Sequence, residues 1–153
     1  DNFNVPPPPA RALDIALIFL DGDLDTLTLS LETNGDTFGE GDKVIFAGYG
    51  LPEDEFSPFE LNVSVNRISS KRRDEIFIST LKKHPIFGQI CSGDSGGPLL
   101  HFDGENWTII GVASSVSGTT GCSEHSKPNS VAKMYWSDLT IARARSFLSE
   151  YGF

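Results

Sequence analysis

The ten residues CSGDSGGPLL at positions 91–100 set one serine, Ser95, among glycines and beside Asp94, and then turn apolar. A serine hydroxyl attacks a carbonyl usefully only when a base takes its proton, so this stretch points to acyl-transfer chemistry and raises the question of the base. Gly93-Asp94-Ser95-Gly96-Gly97 also satisfies G-x-S-x-G, the nucleophile elbow of α/β-hydrolases. That assignment fails on context, because Pro98 opens a strand-like run where the elbow needs a helix, and no histidine follows Asp138. Asp14 is the second candidate. A lone aspartate in an apolar run is costly to bury unpaired, so a hydrogen-bonding partner is expected, the alternative being a strand-end carboxylate facing water. The histidines are His84, His101 and His125. Each is read as an ordinary surface or strand histidine.

These side chains need a scaffold. Beyond the tract Pro6-Pro7-Pro8-Pro9, residues 14–20 read as a strand apolar on both faces, which needs cover on two sides. LTLSLE at 27–32 alternates, with Leu27, Leu29 and Leu31 on one face, and ETNGDTFGEGD after it is a loop. Strands are then expected at 43–47, 60–69 (Leu61, Val63 and Val65 inward), 75–80, 98–102, 107–116 and 130–136. DGEN at 103–106 is the clearest hairpin turn. From Ser137 the period changes: Ser137 or Asp138 caps a helix whose apolar side is Leu139, Ala142, Phe147 and Leu148. The expected class is all-β, one complete six-stranded C-terminal barrel with a terminal α-helix. The two strands before position 36 are too few for a second barrel. Residues 1–36 are therefore read as part of another barrel and 37–153 as the complete one, with a companion polypeptide supplying the missing strands.

Composition narrows the classes. A chain of 153 residues, 39 % hydrophobic, has enough apolar material for one sizeable core. Its net charge of −9 argues against nucleic acid as a partner. Lys71-Arg72-Arg73 is followed at once by Asp74-Glu75 and is read as a solvated loop. No run approaches the roughly 20 apolar residues of a membrane span, so no membrane partner is expected. The N-terminus shows neither an initiator Met nor a leader and is read as a processed product. Cys91 and Cys122 allow one bridge or two buried thiols. No His/Cys/Asp cluster has ligand spacing, so neither metal nor other cofactor is expected.

GDSGGPL resembles the nucleophile signature of trypsin/chymotrypsin-like serine proteases. LDIALIFL is similar to the family's segment around the catalytic aspartate, FAGYG to the opening of its second barrel, and IIGVASSV to the strand lining the substrate cleft. The resemblance runs from Asp14 to the terminal helix and implies a double-barrel fold and peptide-bond hydrolysis through an acyl-enzyme. It implies Ser95 as nucleophile, Asp14 as the residue orienting the base, and Ser114 as a hydrogen-bond donor near Asp14. The backbone N–H groups of Gly93 and Ser95 form the implied oxyanion hole. Asp94, buried by analogy, resembles the residue that pairs with the new N-terminal ammonium when a zymogen is cut. Cys91 and Cys122 fall where the family carries a bridge beside its specificity pocket.

None of the three histidines fits the family's histidine motif, which precedes the catalytic aspartate. Either the base arrives on a companion N-terminal chain from the same precursor, or the protein is a non-catalytic protease-like binding or regulatory module. The serine, the aspartate and the oxyanion glycines all remain, which favours a serine endopeptidase, and the resemblance implies a secreted or periplasmic location. Gln89 stands where trypsin-like enzymes hold basic side chains with an aspartate, and Val116 and Asn129 fall at pocket-wall positions. Small or uncharged substrate side chains are expected. The acidic loop LPEDEFSPFE could steer basic substrates or a protein inhibitor, or be merely solvated.

Overall fold

The computed structural model describes residues 13–50, 60–72, 74–81, 88–117 and 131–153. In chain order they form β1 (Ser30–Leu31), β2 (Lys43–Gly48), β3 (Asn62–Arg67), β4 (Ser70–Arg72), β5 (Glu75–Leu81), β6 (Pro98–Phe102), β7 (Trp107–Ser117), β8 (Val131–Asp138) and the helix α1 (Ala142–Ser149). On β6, Leu99 and His101 point inward while Leu100 and Phe102 lie on the other face, the period of two that a half-buried strand requires.

One sheet runs in the order β3-β2-β6-β7-β8-β5-β4, antiparallel along that path, and β1 adds in parallel to the first half of β7. The sheet curls until its far sides meet. Past β3 the Ser69 N–H donates to Phe77 O (2.9 Å), and the Ser79 N–H donates back to Ser69 Oγ (2.9 Å). Val44, Phe46, Ile78, Leu99, Met134 and Trp136 fill the interior, each at most 5 % exposed. The Phe46 and Trp136 rings lie 5.6 Å apart. This is the expected β-rich barrel architecture with one C-terminal helix.

Several local expectations are corrected. Residues 14–20 enter no ladder: Ile15, Ala16 and Leu17 line an apolar cavity of about 340 Å³ with Pro98, Ile109 and Leu148, while Ile18, Phe19 and Leu20 are 86 %, 69 % and 57 % exposed. A strand apolar on both faces needs two neighbours, and the barrel offers one. Of 27–32 only Ser30 and Leu31 pair, and Leu27 is fully in solvent. On β3 the inward residue is Asn66, whose Nδ2 donates to Gly88 O (3.0 Å), so alternation sends Val63 outward; Leu61 is exposed as well.

Lys71 and Arg72 belong to β4 rather than to a free loop. Lys71 Nζ donates to Gly35 O (2.7 Å), sits 3.7 Å from Asp138 Oδ2 and lies over the Phe38 ring, which ties the loop before β2 to the barrel. Neither Ser137 nor Asp138 caps the helix. Asp138 Oδ1 instead accepts the Thr140 N–H (2.8 Å) and hydroxyl (2.6 Å), and α1 begins after Ile141 with no side-chain cap. Ala142 is exposed, and the buried helical residues are Ala144 and Leu148.

Candidate active site

Between the core residue Ile90 and β6 the chain makes two tight turns. The Asp94 N–H donates to Cys91 O (3.1 Å), and the Gly97 N–H donates to Asp94 O (2.9 Å). The Asp94 carboxylate pins this structure from inside: Oδ2 accepts the Cys91 N–H and Oδ1 accepts the Gly50 N–H, each at 2.7 Å. Such bonds to an ionised acceptor are roughly twice as strong as neutral ones. A Cβ on Gly48 or Gly50 would overlap that carboxylate, so both glycines are required for its approach. Asp94 is half-buried rather than fully buried, and among the described residues no cation pairs with it.

Ser95 is exposed on the turn so held. Gly93 sits at φ +99°, a left-handed conformation that costs an L-residue about 1–2 kcal/mol. Among the described residues the N–H groups of Gly93 and Ser95 donate to no acceptor of the chain. Two unpaired donors flanking a serine are what a developing oxyanion requires.

Asp14 reaches the same region through β7. Its Oδ2 accepts the Ser114 hydroxyl at 2.7 Å. Ser114 lies in a bulge, because Ala113 faces Trp136 and Ser115 faces Tyr135 on β8, leaving Ser114 without an opposing residue. A bulge re-aims a side chain that regular pairing would place elsewhere. One residue earlier, the Ala113 N–H donates to Gly97 O and the Gly96 N–H donates to Ala113 O, both at 2.9 Å. The turn following Ser95 and the residue holding Asp14 are thus neighbours on one strand. Asp14 and Ser114 line a cavity of about 300 Å³ together with Leu13, Asp74, Glu75, Ser137 and Arg143. Arg143 Nη2 meets Asp74 Oδ2 at 3.0 Å, and both side chains are well exposed, so the pair contributes at most about 1 kcal/mol.

The remaining expected site residues are more scattered. Gln89 lines a cavity of about 210 Å³ beside Asp94, with Phe46, Gly48, Gly50, Ser64 and Gly88, and its buried Oε1 has no partner among the described residues. Val116 is 46 % exposed near the end of β7, and Asn129 lies outside the described residues. Cys91 is not a free thiol, while Cys122 lies outside the described residues, as do His84 and His125. His101 is buried on β6 against Phe38 (ring centroids 5.7 Å). No described histidine therefore lines the Asp14 cavity. Among the described residues no group of His, Cys, Asp and Glu could hold a metal ion, and no helix is long and apolar enough to cross a membrane.

Sequence reasoning missed Gly50 as a donor to Asp94 and Gly48 as the residue that leaves room for its carboxylate, although their spacing in FAGYG was the available signal. It also missed Arg143, Asp74 and Glu75 around Asp14, which no local pattern marks.

Comparison with known proteins agrees with this geometry. A stretch of 44 residues is 48 % identical to Transmembrane protease serine 5 of Homo sapiens, covering 29 % of this chain and 9 % of that protein. The chain thus matches only about a tenth of that relative's length. The sequence model of the Trypsin family matches residues 4–138, most of the chain. On that match, and with the β-rich barrel that carries the site, the chain belongs to the trypsin-like serine protease family.

Proposed function

We propose that this chain carries the nucleophilic half of a serine endopeptidase completed by a companion polypeptide from the same precursor. Ser95 attacks the peptide carbonyl, the N–H groups of Gly93 and Ser95 stabilise the oxyanion, and Asp14, held by Ser114, orients an imidazole supplied by the companion. The imidazole takes the Ser95 proton during attack and returns it to the leaving amine; water then hydrolyses the acyl-enzyme by the same steps in reverse. The observation that carries this reading is the Ser114–Asp14 hydrogen bond, one residue from the backbone links that tie β7 to the Ser95 turn.

Other parts of the reading follow from the family. Residues 1–36 belong to the barrel shared with the companion and 37–153 to the second barrel. The cavity beside Asp94, with the unpartnered Gln89 oxygen, suits the ammonium of a newly cut N-terminus. Cys91 pairs with Cys122, Gln89, Val116 and Asn129 shape a pocket for small or uncharged side chains, and the protein is secreted. Substrates are proteins or peptides, and a protein inhibitor can occupy the same cleft.

The second reading, a non-catalytic binding module, draws on the absence of any described histidine in the Asp14 cavity. A fluorophosphonate probe applied to the natively purified protein separates the two. The enzyme reading expects a label on Ser95 by peptide mapping and a second polypeptide in the native mass. An intact, companion-bound sample that leaves Ser95 unlabelled is the binding module.

A further inference from the structure

The Asp14 cavity gathers three carboxylates, Asp14, Asp74 and Glu75, and one guanidinium, Arg143. They come from four places in the fold: the segment before β1, the β4–β5 turn, the first strand residue of β5, and α1. The two other strands that border the cavity contribute only hydroxyls, Ser114 on β7 and Ser137 on β8. Ser137 is cross-strand from Glu75, lies on the face of β8 opposite the core residue Trp136, and is 5 % exposed, so the floor of the cavity is packed against the barrel. Arg143 is anchored at the rim by Asp74 at 3.0 Å. Charges across such a space act on one another through a medium less screening than bulk water.

We propose that Arg143 is a positioning residue for the proposed reaction: held by Asp74, its positive charge offsets the carboxylates around Asp14 and sets the field felt by the imidazole that takes the Ser95 proton. The inference rests on the reading of Ser95 and Asp14 given above. Its consequence is a pH effect with a definite sign. Removing the guanidinium makes the surroundings of Asp14 more negative, which favours the imidazolium. Because only the neutral imidazole accepts the proton, the acid limb of the reaction then moves to higher pH. Removing the Asp74 charge moves it the other way.

The test is the pH dependence of fluorophosphonate labelling in the assembled protein, companion included. Arg143→Gln is expected to raise the midpoint of the acid limb by about half a pH unit, the size of an ion–ion effect in a partly screened setting. Asp74→Asn is expected to lower it by a similar amount, and Arg143→Lys, which keeps the charge, to restore it. Both neutral variants break the same ion pair, so a tie that merely fastened α1 to the β4–β5 turn would lower thermal stability in both and move the limb in neither. Limbs that stay in place, or shift in the same direction, overturn the proposal. Ser95→Ala and Asp14→Asn run alongside: persistent labelling in Ser95→Ala means that the enzyme reading has failed and Arg143 with it. Loss of labelling in both controls, with unmoved limbs in the Arg143 and Asp74 variants, means that only the role of Arg143 has failed.

Discussion

Ser95 owes its proposed reactivity to groups drawn from the Cys91–Gly97 turn, from the bulge at Ser114 and from the segment carrying Asp14. Replacing Asp14 by Asn keeps the shape and removes the acceptor that, in the proposed mechanism, fixes the imidazole tautomer. A loss on the order of 10⁴-fold in turnover, the usual cost of that change in a Ser-His-Asp triad, is expected in the assembled protein and is read from steady-state hydrolysis of a peptide substrate. Gly93→Ala acts differently. Its φ of +99° and the Gly50 Cα waiting 3.3 Å from a new Cβ together force the turn to move. Misaiming one oxyanion donor costs roughly 3–4 kcal/mol in the transition state, so turnover is expected to fall 10²–10³-fold with little change in KM. A fall in substrate affinity alone, with turnover intact, would contradict the donor role of that amide.

At the scale of elements, two features lend themselves to measurement. The hairpin between β6 and β7 turns on Asp103, whose Oδ1 accepts the N–H groups of Asn106 and Glu105, both at 2.8 Å. Those bonds, that from Asn106 first, hold its carboxyl below the usual value of 3.8. A lowered native value means that the bonds contribute fully above the ordinary carboxylate range and fade as the pH falls through the native one. The amides of Glu105 and Asn106 are expected to lose hydrogen-exchange protection only below about pH 3.8, in step with the Asp103 titration read by NMR. The second feature is Lys71, which links Gly35, Phe38 and the 2 % exposed Asp138. Lys71→Met leaves a buried carboxylate without its cation. The usual cost of breaking a buried pair, about 3–5 kcal/mol, is reduced here by partial exposure and by the Thr140 bonds to the same carboxylate, so a loss of about 2 kcal/mol in urea unfolding is expected. This element was hidden in the sequence because a basic triplet before two acids reads as solvated, and nothing local announces that Phe38 and Gly35 meet it.

At the scale of the whole molecule, the exposed apolar side chains of the described residues concentrate before β1 and beside α1. Ile18, Phe19, Leu20, Leu24 and Leu27 are each more than half exposed, and Leu29, Leu31 and Phe153 border a cavity of about 720 Å³ with Leu148. Exposed apolar side chains grouped in this way favour the proposed companion interface. The 153-residue chain alone is expected to self-associate at micromolar concentration and to bind a hydrophobic dye, and both signals are expected to fall when the companion is added. Sedimentation with and without the companion checks this. A monodisperse, dye-silent chain would remove the need for a partner. The barrel was legible because its strands carry alternating apolar residues that can be counted. The segment at 14–20 was legible as apolar yet not as unpaired, because periodicity reports which faces want cover and not whether cover is present.

The order of residues alone determined the β-rich class and the turn around Ser95, since these follow from side-chain type and short spacing, while the candidate pairing of Ser95 with Asp14 came from the family resemblance. Only the folded chain decided that Asn66 rather than Val63 faces the barrel interior, that Gly48 and Gly50 admit the Asp94 carboxylate, and that Arg143 shares a cavity with Asp14. Those contacts join residues 44 positions apart for Asp94 and Gly50 and 129 apart for Arg143 and Asp14, or hang on which face of β3 turns inward. Closing the barrel brings such residues together, and no pattern within a strand encodes which partner the closure will deliver.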